Sequence, residues 1–182
     1  MKLGRRHPFV SRRAWYLTVA LAFAVHNAEE ASAAARMLGF MQSSAPIALR
    51  AFYEGINTSE LRASLMVVTL LGAIVTACAV RSPQSSRWAY TMLVFAAVLG
   101  LNSLAHVALA GIARSYMPGL VTSLTLTLPV AVIILVRGRR EEWVSSSAYW
   151  TALSLAVVIH GPVLALFIRT TVGGLPALTL AR

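Results

Sequence analysis

The 182-residue chain has no aspartate, one lysine (Lys2), one cysteine (Cys78) and only six acidic residues, all of them glutamate. A lone cysteine allows no intramolecular disulfide and says nothing of redox compartment. Charged residues make up 12 % of the chain, where a soluble domain carries about a quarter. That scarcity excludes an ordinary soluble fold. Hydrophobic residues make up 58 % and the mean hydropathy is +0.71, the balance of an integral membrane protein. The length suits one domain over residues 1–182. The net charge of +10 is almost wholly arginine. The arginines stand in short clusters between apolar runs, which fits topology signals and contact with membrane lipids. No nucleic-acid partner is expected.

Apolar runs lie at 14–34, 63–80, 88–113, 117–136 and 148–168, each near the ~20 residues that a membrane-crossing helix needs. The expected fold is an all-α, polytopic membrane bundle of five transmembrane helices. The basic N-terminus 1–13, the connection with Arg81 and Arg87, and the "RGRREE" turn with Arg137, Arg139 and Arg140 then share one side. The positive-inside rule makes that side cytoplasmic, N-terminus in and C-terminus out. Trp15, Trp88, Trp143 and Trp150 fall near the same ends, as an interfacial aromatic belt would. In "RGRREE", Glu141 and Glu142 read as solvated partners of the arginines. A signal peptide is the rival reading of the first run, with "ASA" at 31–33 as its cleavage site. Glu29 and Glu30 just before the cut argue against it.

The long outer loop 35–62 contains "APIALRAFYE", which could lie on the membrane surface as a short helix with Ile47, Leu49 and Phe52 down, capping the bundle. The "TSLTLTL" stretch at 122–128 offers hydroxyls that can bond their own backbone carbonyls.

Into this apolar background the chain places His26, Glu29 and Glu30 in "HNAEE", Asn102 and His106 in "NSLAH", and His160 before Gly161 and Pro162. The odd-numbered runs share one direction, so heights compare through the 1.5 Å helical rise. His26 and His160 lie about 18 Å from the inner ends of their runs, Asn102 about 21 Å, Glu29 and Glu30 about 22–24 Å, and His106 about 27 Å. Three imidazoles, two carboxylates and an amide thus share one slab in the outer half of the bilayer. His26 and Glu30, four residues apart, share a helix face, as do Asn102 and His106. Singly, each histidine is explained by helix-packing hydrogen bonds, and the glutamates would be merely wet if the first helix ended near residue 28. The common height turns them into a candidate site.

Carboxylates in hydrocarbon cost at least ~2.5–3.5 kcal/mol each, and a bound divalent metal ion offsets that cost. The expected ligands are His26, His106 and His160, with Glu29 or Glu30 completing the set and the other glutamate acting as general base. Zinc is the first expectation, with iron or manganese the others that His/Glu sets serve. Asn102 would orient a ligand rather than bind metal. Tyr116, at the outer mouth, is a candidate proton donor whose plainer role is an interfacial anchor.

"HNAEE" resembles the HXXEE motif of a family of small bacterial integral membrane proteins of unknown function. "NSLAH", "YMPG" (Tyr116, Pro118, Gly119) and "IHG" (His160, Gly161) resemble accompanying features and occur in the same order. The resemblance implies a multi-pass protein of the cell inner (cytoplasmic) membrane and a metal-dependent character. It supplies no reaction. The function expected is a metal-dependent, hydrolase-type enzyme acting on a lipophilic small-molecule substrate. The alternatives are a metal-free acid/base isomerase of a lipid-like substrate and a cation- or proton-coupled carrier. The sequence leaves the oligomeric state open.

Overall fold

The computed structural model describes residues 11–164 and 166, and among these every regular element is helical. Lys2, Arg5, Arg6, His7, Ala165 and residues 167–168 of the last expected span lie outside the described residues. Helix α1 spans Arg12–Ser32, with the Ser11 side chain accepting from the Ala14 N–H. No glycine or proline interrupts it, so it carries through Glu29 and Glu30 rather than stopping near residue 28. Only Ala33 separates it from α2, Ala34–Ser43. Helix α3 is Ile47–Tyr53 and α4 is Thr58–Arg81. A reciprocal cap starts α4: Asn57 Oδ1 accepts the Glu60 N–H at 3.0 Å, and Glu60 Oε2 accepts the Asn57 N–H at 2.8 Å, which satisfies two end donors at once. Helix α5 is Ser86–Ala113.

Residues Leu120–Arg140 form one further continuous helix. It begins as a short α-turn (α6, Leu120–Thr122), passes a π-turn at Ser123–Thr127 and resumes as α7, Leu128–Arg140. Pro129 accounts for the irregularity, since it has no N–H to return to the preceding turn. Helix α8, Ser146–Val158, runs into a second π-turn at Ile159–Val163, where Pro162 removes a donor in the same way. Three helices are long and apolar enough to cross a membrane: Thr58–Arg81, Ser86–Ala113 and Leu120–Arg140. Helix α1 has 21 residues, but its arginines, His26, Asn27 and glutamates dilute its apolar character.

The buried faces follow the helical period. On α1 the buried residues are Tyr16, Val19, Ala22, His26, Asn27 and Glu30, a stripe advancing by three or four. On α5 the corresponding stripe includes Ala96, Leu99, Ser103, His106 and Leu109. Two apolar clusters bracket the polar part of both stripes. One joins Tyr16, Val19 and Ala22 to Leu93, Leu99, Ile134 and Trp143 at the arginine-rich end. There Arg12 stacks 5.2 Å over Trp143, and Glu141 binds both Arg137 (2.6 Å) and the Trp143 indole N–H (2.9 Å). Trp143 is therefore buried, not an interfacial anchor, whereas Trp150 is exposed.

The second cluster joins Met37, Leu38 and Met41 of α2 to Tyr53, Ile56, Leu61, Leu109 and Met117. The expected loop 35–62 is thus mostly helical. The 37/38/41 spacing carries the α2 face. Leu49 and Phe52 pack against this cluster, whereas Ile47 is 77 % exposed. Ile47 is the first residue of α3, on the opposite side of a seven-residue helix from its packing face.

Candidate metal centre

Between the two apolar clusters, α1 and α5 bring three potential ligands together. His26, Glu30 and His106 are all buried, and one ligand atom from each lies within 4.8 Å of the others. His106 Nε2 is 2.6 Å from Glu30 Oε1, and His26 Nε2 is 3.7 Å from the same oxygen. The two imidazoles meet edge to face with centroids 4.9 Å apart. Helical spacing puts His26 and Glu30 one turn apart on α1, and α5 supplies the third group across the interface.

The remaining polar residues surround this group. Asn102 Nδ2 lies 2.8 Å from His26 Nε2, and its Oδ1 lies 3.3 Å from His160 Nε2. Asn102 therefore bridges two histidines of two other helices. His160, expected as a ligand, stands one amide away from the three-residue group. Glu29 faces elsewhere. Its Oε1 accepts the Tyr116 hydroxyl at 2.6 Å and the Val121 N–H at 3.4 Å, and its Oε2 accepts the Thr122 N–H at 2.9 Å. A carboxylate at the first turn of the helix 120–140 meets otherwise unpaired donors and the positive end of the helix dipole. Tyr116 is exposed, with Arg36 stacked 5.8 Å over its ring. Its pKa is pushed up to about 12, first by the hydrogen bond to Glu29 and then by burial and that carboxylate's charge.

Two further residues complete the surroundings of the group. Thr122 Oγ1 is 2.8 Å from His26 Nδ1, yet in "TSLTLTL" it looks like any other hydroxyl of that stretch. Its neighbours there do bond backbone: Thr125 donates to the Val121 carbonyl at 2.7 Å, and Thr127 to the Thr122 carbonyl at 3.3 Å. Gly119 is the second. At φ +86° it adopts a conformation that side chains disfavour, and a Cβ there would lie 2.7 Å from His106 Cε1 and 2.9 Å from His26 Cε1. The backbone at 119 is pressed against both rings. The signal that could have found it is the Pro-Gly pair preceding a helix. Asn27, inside the "HNAEE" motif, is a packing residue: its Nδ2 donates to Thr69 Oγ1 on α4 at 2.7 Å.

The model for proteins of unknown function with the HXXEE motif matches residues 17–134. The chain belongs to the HXXEE family. The matched part of this HXXEE protein contains His26, Glu29, Glu30, Asn102, His106, Tyr116 and Gly119, while His160 falls beyond it. No curated protein and no solved structure matches the chain. The family's description assigns no activity.

Proposed function

We propose that this HXXEE protein is a membrane-embedded metalloprotein in which His26, Glu30 and His106 hold a divalent ion. The carrying observation is that these three donors converge within 4.8 Å while all are buried. Two neutral imidazoles and a carboxylate are a donor set that suits zinc first, and iron or manganese next. His106 Nδ1 is buried without a hydrogen-bond partner, a cost of about 1–3 kcal/mol.

In this reading five helices span the inner membrane with the arginine-rich end in the cytoplasm. The site then sits toward the outer half, within reach of lipophilic substrates. When bound, the ion would supply Lewis acidity and a water activated near neutral pH, the chemistry of a hydrolase. Around it, Glu30 and the two histidines bind, Asn102 and Thr122 orient His26, and Met37, Met41, Leu109 and Met117 shield the site from water. Glu29 is committed to the helix start at 121–122, which makes it a positioning residue rather than a base in contact with substrate.

A metal-free acid/base pair is the second reading, favoured by the same 2.6 Å contact between His106 and Glu30. Such a pair can move a proton on a lipid-like substrate. Elemental analysis of purified wild type, His106→Ala and Glu30→Ala separates the two. Stoichiometric metal in the wild type, lost from both variants, supports the metalloprotein. Wild type free of metal after growth and purification in zinc-replete, chelator-free medium overturns it and leaves the acid/base pair.

A further inference from the structure

The two glutamates of the motif occupy different chemical positions, and the bonds around His26 show how they are connected. Both ring nitrogens of His26 are engaged: Nδ1 with Thr122 Oγ1 at 2.8 Å, and Nε2 with Asn102 Nδ2 at 2.8 Å. A neutral imidazole carries one N–H and one lone pair, so its partners decide which nitrogen holds the hydrogen. Thr122 has a single hydroxyl hydrogen. It donates to the Gly119 carbonyl at 3.3 Å, and the Thr122 backbone N–H beside it donates to the Glu29 carboxylate at 2.9 Å. Both are oxygen acceptors, and the carboxylate is anionic. With its hydrogen drawn to that side, Thr122 Oγ1 can only accept from His26, which places the hydrogen on Nδ1.

The rest of the chain agrees in direction. With Nδ1 protonated, His26 Nε2 presents its lone pair, and the Asn102 amide N–H donates to it. Asn102 Oδ1 then accepts from His160 Nε2–H at 3.3 Å. Every donor in the series His160, Asn102, His26, Thr122 meets one acceptor. Reversing it would require Thr122 to turn its hydrogen from oxygen acceptors beside a carboxylate toward an imidazole nitrogen.

We infer that Glu29 acts through Thr122 as a tautomer-setting residue for His26, holding it as Nδ1–H with Nε2 as the acceptor that the Asn102 amide meets. Free histidine prefers the other tautomer, so the relay enforces a form that the ring does not adopt by itself. This assigns distinct tasks within "HNAEE": Glu30 is a ligand candidate and Glu29 orients the ligand's electrons. The consequence for metal affinity rests on the metalloprotein reading, because a metal needs the Nε2 lone pair. The tautomer does not rest on it.

The test is nitrogen NMR of the metal-stripped full chain in detergent micelles, with ¹⁵N-labelled histidine. The His26 signals are assigned by their loss in His26→Asn. The expected wild-type spectrum has His26 protonated at Nδ1 with an acceptor-type Nε2. Thr122→Val, which removes the hydroxyl at constant shape, shifts the population toward Nε2–H; Thr122→Ser restores the wild-type pattern, and Glu29→Gln shifts it in the same direction as valine. Wild type protonated at Nε2 overturns the inference whether or not any variant folds. So does a folded Thr122→Val protein whose tautomer ratio is unchanged. Wild type that holds Nδ1–H yet binds no zinc supports the relay and removes the metalloprotein reading, so the two fail separately. If both hold, Thr122→Val weakens zinc binding by about 10–100-fold, the usual effect of losing an outer partner of a ligand.

Discussion

His106 of α5 and Glu30 of α1 face each other at 2.6 Å with both side chains almost fully buried. Two helices are thereby joined through their most polar groups, in a layer closed off by apolar clusters above and below. Glu30→Gln keeps a carbonyl oxygen for His106 and nearly the same volume, so it should cost less than about 1 kcal/mol. His106→Ala strands the Glu30 carboxyl in a buried site and should cost about 1–3 kcal/mol or more. Thermal unfolding of both variants in one detergent checks the order. Equal losses would mean that the contact contributes nothing distinctive.

Gly119→Ala should be among the most damaging single-methyl changes in the protein. The added Cβ meets both imidazoles at 2.7–2.9 Å, and φ is +86°. Left-handed backbone costs a non-glycine residue about 1–2 kcal/mol, and overpacking adds ~1–3 kcal/mol. Gly39→Ala is the control, because a Cβ at 39 meets nothing within 4 Å. A Gly119→Ala protein that melts like the control would show that the rings yield freely.

Tyr116 should titrate late. The hydrogen bond to Glu29 favours the neutral phenol and pushes its pKa up from 10.0 to about 12. Because the folded value exceeds the unfolded one, this contribution to stability is complete below about pH 10. It is lost as pH rises toward 12. Alkaline difference absorbance, wild type minus Tyr116→Phe, isolates the transition. Glu29→Gln should move it back toward 10, and a transition that stays put in that variant would break the assignment.

Asn27 and Thr69 should couple in a double-mutant cycle. Their 2.7 Å bond ties α1 to α4, and hydrogen bonds between membrane helices average about 0.6 kcal/mol, with about 1.7 the largest. Asn27→Ala and Thr69→Val, singly and together, measure the term by thermal or denaturant unfolding. A coupling near zero would reassign Asn27 to simple space filling.

Much of this site is legible in the letters because helices convert spacing into direction. The step of four from His26 to Glu30 puts both on the stripe that also buries Tyr16, Val19 and Ala22. Counting along runs 1, 3 and 5 puts Asn102, His106 and His160 near the same height, and the structure links all three to that stripe, His160 through Asn102. Periodicity is weaker where segments are short. The segment 34–53 looks like a loop because α2 and α3 have 10 and 7 residues, too few turns to declare a face.

By itself, then, the sequence determined the helical class, the polar stripe on α1 and its counterpart on α5, because rise and period are properties of the backbone alone. Tertiary structure decided the roles. Which of two adjacent glutamates enters the His26–His106 group and which closes the helix start at 121–122 depends on how α1 is rotated against its neighbours. That His26 meets Thr122 rather than another hydroxyl of the same stretch depends on where the chain turns at Gly119. These are contacts between residues 76 to 96 positions apart, and no local pattern encodes them.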